Sequence, residues 1–222
     1  MTESTPNQAI LKGSKTLAQV RMAFIMLTLF VLVLLSLLLR FVFFLFPRHL
    51  FLRFNVRFII YPFSRLLMWI VGVKLVVKGK MPSSQHLIVS NHQGILDSLL
   101  HMAISPCMVI SNMLIRNMKV IGSVMELLGF VFVDRSRRMS IVELLQPATS
   151  MITQSKVNMS FFPEGKSNNG VELLPFHAPF FKIAIDSGSG VQPIAFRWTH
   201  ANGQELSKEQ RITFTYLVKH GS

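Results

Sequence analysis

The sequence predicts an α/β domain, a mostly parallel sheet flanked by helices, behind an N-terminal transmembrane or interfacial helical anchor. Three observations predict it. Met22 to Leu39 runs eighteen residues without a charge. From about residue 73, short β-branched or aromatic runs alternate with helix-length stretches, the pattern of crossover units in a parallel sheet. Only 15% of the 222 residues are charged, against about 25% in ordinary globular chains. The expected division is a tail over 1–21, transmembrane and interfacial helices over 22–72, and the α/β domain over 73–222.

The composition excludes several classes. Half the residues are hydrophobic, with nineteen Phe and thirteen Met, which argues against disorder. One cysteine, Cys107, rules out an intramolecular disulfide framework and a multi-cysteine zinc site. The net charge of +13, from 23 Lys and Arg against 10 Asp and Glu, suits nucleic acid or an anionic membrane surface. Eleven of the 23 basic residues fall in the first 80 positions, among the longest apolar runs. That placement favours a membrane and argues against nucleic acid.

Between Met22 and Leu39 only Thr28 and Ser36 are polar; after Arg40 the apolar run resumes at Phe41–Phe46, and Pro47 ends it. Residues 22–46 exceed the roughly 20 residues that cross a bilayer core, and they lack the short core and small-residue cleavage site of a signal peptide. The expectation is an uncleaved anchor that spans the bilayer or dips into one leaflet. Arg53, Arg57 and Arg65 recur at spacings of four and eight, hence on one helical face. With Phe54, Phe58, Leu66 and Trp69, they read as a helix lying in the interface, or as a core helix with arginines at its edge. Basic residues after the anchor (Arg40, Arg48, Arg53, Arg57) outnumber those before it (Lys12, Lys15, Arg21), which weakly places the remainder in the cytoplasm.

In the α/β part, strands are expected at Val73–Val77, His86–Ser90, Cys107–Ser111, Phe130–Asp134, Met159–Phe162, Val191–Phe196 and Arg211–Val218. Helices are expected near 95–104, 116–128, 138–155 and 176–187. Ligands of such sheets gather beyond the carboxyl ends of the strands, so the loops there are where chemistry is sought.

Four blocks lie in those loops. Asn91-His92-Gln93-Gly94-Ile95-Leu96-Asp97 follows an apolar strand. His92 and Asp97 meet if the histidine lies in the strand-to-helix turn and the aspartate on the helix, and Gly94 eases that turn. A carboxylate on one imidazole nitrogen fixes the tautomer and leaves the other free to take a proton. No G-x-S-x-G elbow is present, so such a base would act on a hydroxyl of the substrate; a chance His/Asp pair is the alternative. Phe161-Phe162-Pro163-Glu164-Gly165-Lys166-Ser167 ends another apolar strand and is either a ligand loop or a tight strand exit. Its Gly-Lys-Ser is not a P-loop, which needs a further glycine where Ser160 stands. Gly129 to Arg135 delivers an arginine to a sheet end, where its fork can hold phosphate, or it starts a solvated basic helix. Gln192-Pro193-Ile194-Ala195 reads as an edge strand or a strand start.

In this order and spacing the four blocks resemble the glycerophospholipid acyltransferase family, which contains bacterial 1-acyl-glycerol-3-phosphate acyltransferases. The resemblance runs from about Leu75 to Phe196. Asn91-His92 with Asp97 resembles the N-H-x4-D block, Gly129 to Arg135 the G-x-x-F-x-x-R block, Phe162 to Gly165 the F-P-E-G-T-R block, and Gln192 to Ala195 the final proline block. The resemblance implies a glycerolipid acyltransferase-like fold at the cytoplasmic face of a bacterial inner membrane. It implies His92 as the general base, held by Asp97, with Asn91, Arg135, Glu164, Gly165 and Lys166 on the substrate side. Acyl-CoA or acyl-carrier protein would be the co-substrate, with no metal and no further cofactor, membrane lipids as partners and no nucleic acid. The activity implied is O-acylation of a lysophospholipid, first 1-acyl-sn-glycerol-3-phosphate.

Two departures bear on the acceptor. Lys166-Ser167 stands where the family has Thr-Arg, and His177-Ala178 stands where Lys-Gly is common. A lysine is a point charge without the bidentate geometry of arginine. The branch of the family that acylates lyso-ornithine lipid also lacks that arginine, which makes a zwitterionic lysolipid the alternative acceptor. A non-catalytic lipid-binding protein is the alternative of another class.

Overall fold

The computed structural model describes residues 15–81, 85–94, 96–133, 141–167, 173–201 and 204–205. The expected strand at Arg211–Val218, the side chain of Arg135, and most of the 1–21 tail lie outside the described residues.

Helix α1 spans Lys15–Val42, longer at its start than the uncharged stretch. Pro47 then precedes α2, Arg48–Phe54. A π-helical segment, Asn55–Ile60, continues directly into α3, Tyr61–Ile70. Arg53, Arg57 and Arg65 are exposed along this run, with Phe54, Phe58, Leu66 and Trp69, while Val56, Ile59, Ile60, Leu67 and Met68 are buried. The run is therefore amphipathic, basic and apolar on the outside and aliphatic toward the core.

One stripe of α1 is buried: Ile25, Thr28, Leu32 and Ser36, spaced three or four apart as one helical face requires. The two polar residues of the apolar stretch thus face protein. The Ser36 hydroxyl donates to Asn55 Oδ1 at 2.8 Å, and Asn55 Nδ2 donates to the Leu128 carbonyl at 3.1 Å. Asn55 is fully buried, and its amide ties α1, the π segment and the end of a sheet-flanking helix together. The opposite side of α1 exposes Phe24, Leu27, Phe30, Leu34, Leu38 and Phe41.

The sheet holds β1 (His86–Ser90), β2 (Cys107–Asn112), β3 (Val131–Val133), β4 (Asn158–Phe161) and β5 (Gly190–Ile194). Its order is β3-β2-β4-β1-β5, and every pairing is parallel. The crossovers run through α4 (Leu96–Ile104), α5 (Met113–Arg116) with α6 (Lys119–Leu128), α7 (Ile141–Thr153), and a 3₁₀ turn (Ala178–Phe181) leading into α8 (Lys182–Ser187). A short antiparallel pair, β6 (His200–Ala201) and β7 (Gln204–Glu205), follows.

Val73–Val77 is not a strand. Its β-branched residues fit one, but Val73 and Leu75 pack on the cluster formed by α1, α3 and α4, which takes the segment away from a sheet edge. Pro193 sits on β5, at the edge of the sheet among the described residues, where a missing N–H breaks no ladder. At the end of α6, Gly129 adopts φ +98°, and a Cβ there would lie 2.4 Å from Leu52 Cδ2. Only glycine meets both demands.

The strand order places the functional crevice. From β1 the chain passes through α4 toward β2; from β4, the neighbour of β1, it passes through α8 toward β5 on the other side. Right-handed crossovers in opposite directions put their helices on opposite faces. Accordingly α4 packs on α3, and α8 on α7. Two adjacent strands whose connections diverge leave an opening at their carboxyl ends. His92 follows β1, and Glu164 follows β4.

Candidate active site

Asp97 lies in the first turn of α4 and is fully buried. Its Oδ2 accepts from three donors: His92 Nδ1 at 3.0 Å, the Gly94 amide at 2.8 Å and the Gln93 amide. The turn predicted at Gly94 therefore forms, and it aims two backbone N–H groups and the imidazole at one oxygen. Two backbone donors hold the carboxylate as an acceptor, so the histidine proton resides on Nδ1 and the lone pair on Nε2. The His92 side chain keeps 20% of its exposure against 0% for Asp97. A proton acceptor at the crevice, oriented by a buried carboxylate, is the arrangement of a general base.

Phe162 forms the floor under that base. Its ring stacks on the His92 imidazole with centroids 3.9 Å apart and planes 12° from parallel. Rotation of His92 about χ2 would drive one ring into the other, so the stack and the Asp97 bond together fix the plane. Below Phe162 lies His101, centroids 5.0 Å apart and planes 14° apart. The sequence did not single out His101, and it marked Phe162 only as the start of the Phe-Pro-Glu-Gly block. The available signal was spacing: His101 stands four residues after Asp97, on the same face of α4.

Glu164 is buried, and both carboxylate oxygens engage backbone amides: Oε1 that of His92 at 3.4 Å, Oε2 that of Leu174 at 3.1 Å. It thereby bridges the loops after β1 and β4. The turn from Phe162 closes through the Gly165 amide to the Phe162 carbonyl at 3.0 Å, with Gly165 at φ +73°, a conformation that favours glycine. Lys166 follows it. Asn91 pairs with the backbone of Phe196 in both senses, Nδ2 donating to its carbonyl at 3.0 Å and Oδ1 accepting from its amide at 2.8 Å. This extends the β1–β5 ladder by one side chain and fixes the third wall. Of the predicted residues, His92, Asp97, Asn91, Glu164, Gly165 and Lys166 come to the ends of β1 and β4.

No group of three or more His, Cys, Asp or Glu suited to a metal ion occurs among the described residues. A cavity of about 390 Å³ lies elsewhere, lined by Arg48, His49, Arg116, Glu126, Gly129 and Gln154 among others, and includes neither His92 nor Asp97. Cys107 is buried in β2, and burial pushes its thiol up to about 12, so it offers no thiolate nucleophile near neutral pH.

The acyltransferase family model matches residues 73–197, a range that contains every residue of this crevice. The chain belongs to the acyltransferase family. Among curated relatives, the 1-acyl-sn-glycerol-3-phosphate acyltransferase of Neisseria gonorrhoeae is 33% identical over 131 residues, covering 57% of this chain and 51% of that protein. The human 1-acyl-sn-glycerol-3-phosphate acyltransferase alpha is 28% identical over 152 residues, 65% of this chain and 52% of that protein. The chain thus spans about half the length of these relatives. The crystal structure of the 1-acyl-sn-glycerophosphate acyltransferase of Thermotoga maritima superposes with a TM-score of 0.55 at 21% identity, over 78% of this chain and 73% of that one. That likeness shows the fold, and the expected parallel sheet with flanking helices is what the acyltransferase domain contains.

Proposed function

We propose that this protein is a membrane-associated O-acyltransferase that moves an acyl chain from a thioester to the free hydroxyl of 1-acyl-sn-glycerol-3-phosphate, giving phosphatidic acid. The observation that carries the reading is the His92–Asp97 pair at the opening between β1 and β4, with the imidazole proton on Nδ1 and Nε2 free. The names of the relatives support the acceptor. In the proposed step, Nε2 takes the proton of the lysolipid hydroxyl while its oxygen attacks the thioester carbonyl carbon. The tetrahedral intermediate then expels the thiolate as the C–S bond breaks. The imidazolium returns its proton to the sulfur, so one ester and one free thiol leave. Asp97 stabilises the imidazolium formed between these events, and backbone amides of the crevice stabilise the oxyanion.

The donor is acyl-CoA or acyl-carrier protein, and no metal or further cofactor takes part. The outward apolar face of α1, and the Arg, Phe and Trp of the α2–α3 run, support placement in a lipid bilayer, with the catalytic domain on the cytoplasmic side of a bacterial inner membrane. Lys166-Ser167 in place of Thr-Arg favours one second reading, a lyso-ornithine lipid or other zwitterionic acceptor.

The experiment supplies purified full-length chain in detergent with acyl-CoA or acyl-carrier protein and a lysolipid panel, and measures thiol release and lipid product. The expected result is phosphatidic acid from lysophosphatidate, with His92→Ala slower by about 10²–10⁴-fold, the usual cost of losing a general base. Full activity in that variant overturns the mechanism; turnover confined to zwitterionic lysolipids overturns the acceptor.

A further inference from the structure

His101 is a buried histidine that the proposed chemistry does not use, and its surroundings all lead back to His92. It is fully buried on α4. Its Nε2 lies 2.8 Å from Ser90 Oγ, and that hydroxyl donates to the Asn91 carbonyl at 3.0 Å. A hydroxyl has one hydrogen, so Ser90 Oγ accepts from Nε2 and the His101 proton resides on that nitrogen. The relay runs from His101 through Ser90 to the backbone of Asn91, the residue bonded to His92. On its other side the His101 ring meets Phe162, which stacks on His92. Phe196, whose backbone pairs with Asn91, covers a further part of it at 5.0 Å.

Two buried atoms on this face of α4, Asp97 Oδ1 and His101 Nδ1, have no hydrogen-bond partner among the described residues. They stand one helical turn apart, and with the tautomer above both are acceptors. Neither can satisfy the other, and a buried acceptor costs free energy until a donor reaches it.

We propose that His101 is a positioning residue for the His92–Asp97 pair, holding the reactive imidazole through the Phe162 ring on one side and through Ser90 and the Asn91 backbone on the other. It rests on the acyl-transfer reading above. A ring that stays neutral serves this role, and burial first, then the charge of His92, lowers His101 to about 3.

The test uses the full chain with the same thioester and lysolipid. His101→Phe keeps a flat ring against Phe162 and deletes both nitrogens; His101→Gln restores an amide N–H toward Ser90. The expected result is a kcat about tenfold lower in His101→Phe, the cost of about one net hydrogen bond, with KM for both substrates within twofold. His101→Gln should recover most of the loss. If His101→Phe does not fold, His101→Asn replaces it, since its shorter amide does not reach Ser90. A phenylalanine (or asparagine) variant above half the wild-type kcat overturns the proposal, as does a loss carried by KM, or a glutamine variant no better than the phenylalanine one. A second readout is independent of turnover. Histidine ¹⁵N spectra at neutral pH should show the proton on Nε2 of His101 and on Nδ1 of His92, with the His92 signal displaced in His101→Phe and restored in His101→Gln. An unchanged His92 signal overturns the positioning role. Spectra as expected from a wild-type chain that transfers no acyl group would instead overturn the acyl-transfer reading and leave the positioning role intact.

Discussion

Replacing Asp97 by asparagine isolates the electrostatic part of the site from its shape. The wild-type Oδ2 accepts from His92 Nδ1, Gln93 N and Gly94 N. Asparagine has two ways to occupy that position. With its oxygen toward the three donors, the geometry survives, but the charge that steadies the imidazolium is gone and a buried NH₂ takes the place of Oδ1. With its nitrogen toward them, donor meets donor, and His92 must turn its lone pair to Nδ1 and its proton into the crevice. Both outcomes weaken the base. A charge-assisted hydrogen bond to the imidazolium contributes about 1.5–3 kcal/mol, and a misplaced tautomer adds a comparable loss. Together these are about 3–6 kcal/mol, or about 10²–10⁴-fold at 1.36 kcal/mol per decade. The assay is thiol release at saturating lysolipid, beside thermal unfolding to show that the variant is folded. We expect the transition within a few degrees of wild type and kcat lower by about 10³. A folded Asp97→Asn chain within tenfold of wild type would refute the assignment of His92 as a base oriented by Asp97.

Three further outcomes follow from particular contacts. His101 is lowered to about 3 by burial and then by the charge of His92, so the unfolded chain takes up a proton near pH 6.5 that the folded chain refuses. Stability from this group is whole above pH 6.5 and falls by roughly 1 kcal/mol per pH unit below it; between pH 7 and 5 the melting temperature of wild type should drop several degrees more than that of His101→Phe, and parallel curves would contradict it. Glu164→Gln retains one acceptor for two amides, those of His92 and Leu174, so about 1–3 kcal/mol of stability and roughly tenfold in kcat should be lost; an unchanged melting curve would show that the carboxylate does not join the two loops. Asn55→Ala leaves the Leu128 carbonyl and the Ser36 hydroxyl without their amide, and unfolding in detergent should come several degrees earlier; Asn55→Ala with Ser36→Ala should cost less than the two separate losses added, because the pair is coupled.

Much of the site was legible because its chemistry is local. Five positions separate His92 from Asp97, a glycine stands between them, and an apolar strand leads in; that is enough to place a turn and a helix start. The depth of the crevice is different. Phe162 reads as the first residue of a loop block, and only the pairing of β1 with β4 brings its ring against the imidazole. His101 could be placed on the face of Asp97 by counting, but its bond to Ser90 depends on where α4 crosses β1. Val73–Val77 misled because a β-branched run states what a strand prefers and not whether a neighbour is free to pair with it. The π segment left no pattern that a continuous helix would not share. In α1 the signal was present and small: in a run of aliphatic residues, the hydroxyls of Thr28 and Ser36 mark the side that meets protein.

The stripe from Ile25 to Ser36 fastens α1 along the body that carries the crevice, leaving no slack between them. A catalytic head on a flexible stalk can sweep a radius and collect molecules from solution or from an opposing surface. Among the described residues, no stalk separates α1 from the sheet. If its first helix is sunk in a bilayer, as proposed above, the open nitrogen of His92 stands at a set height beside it, and the acceptor proposed above would reach it by sliding within that same layer.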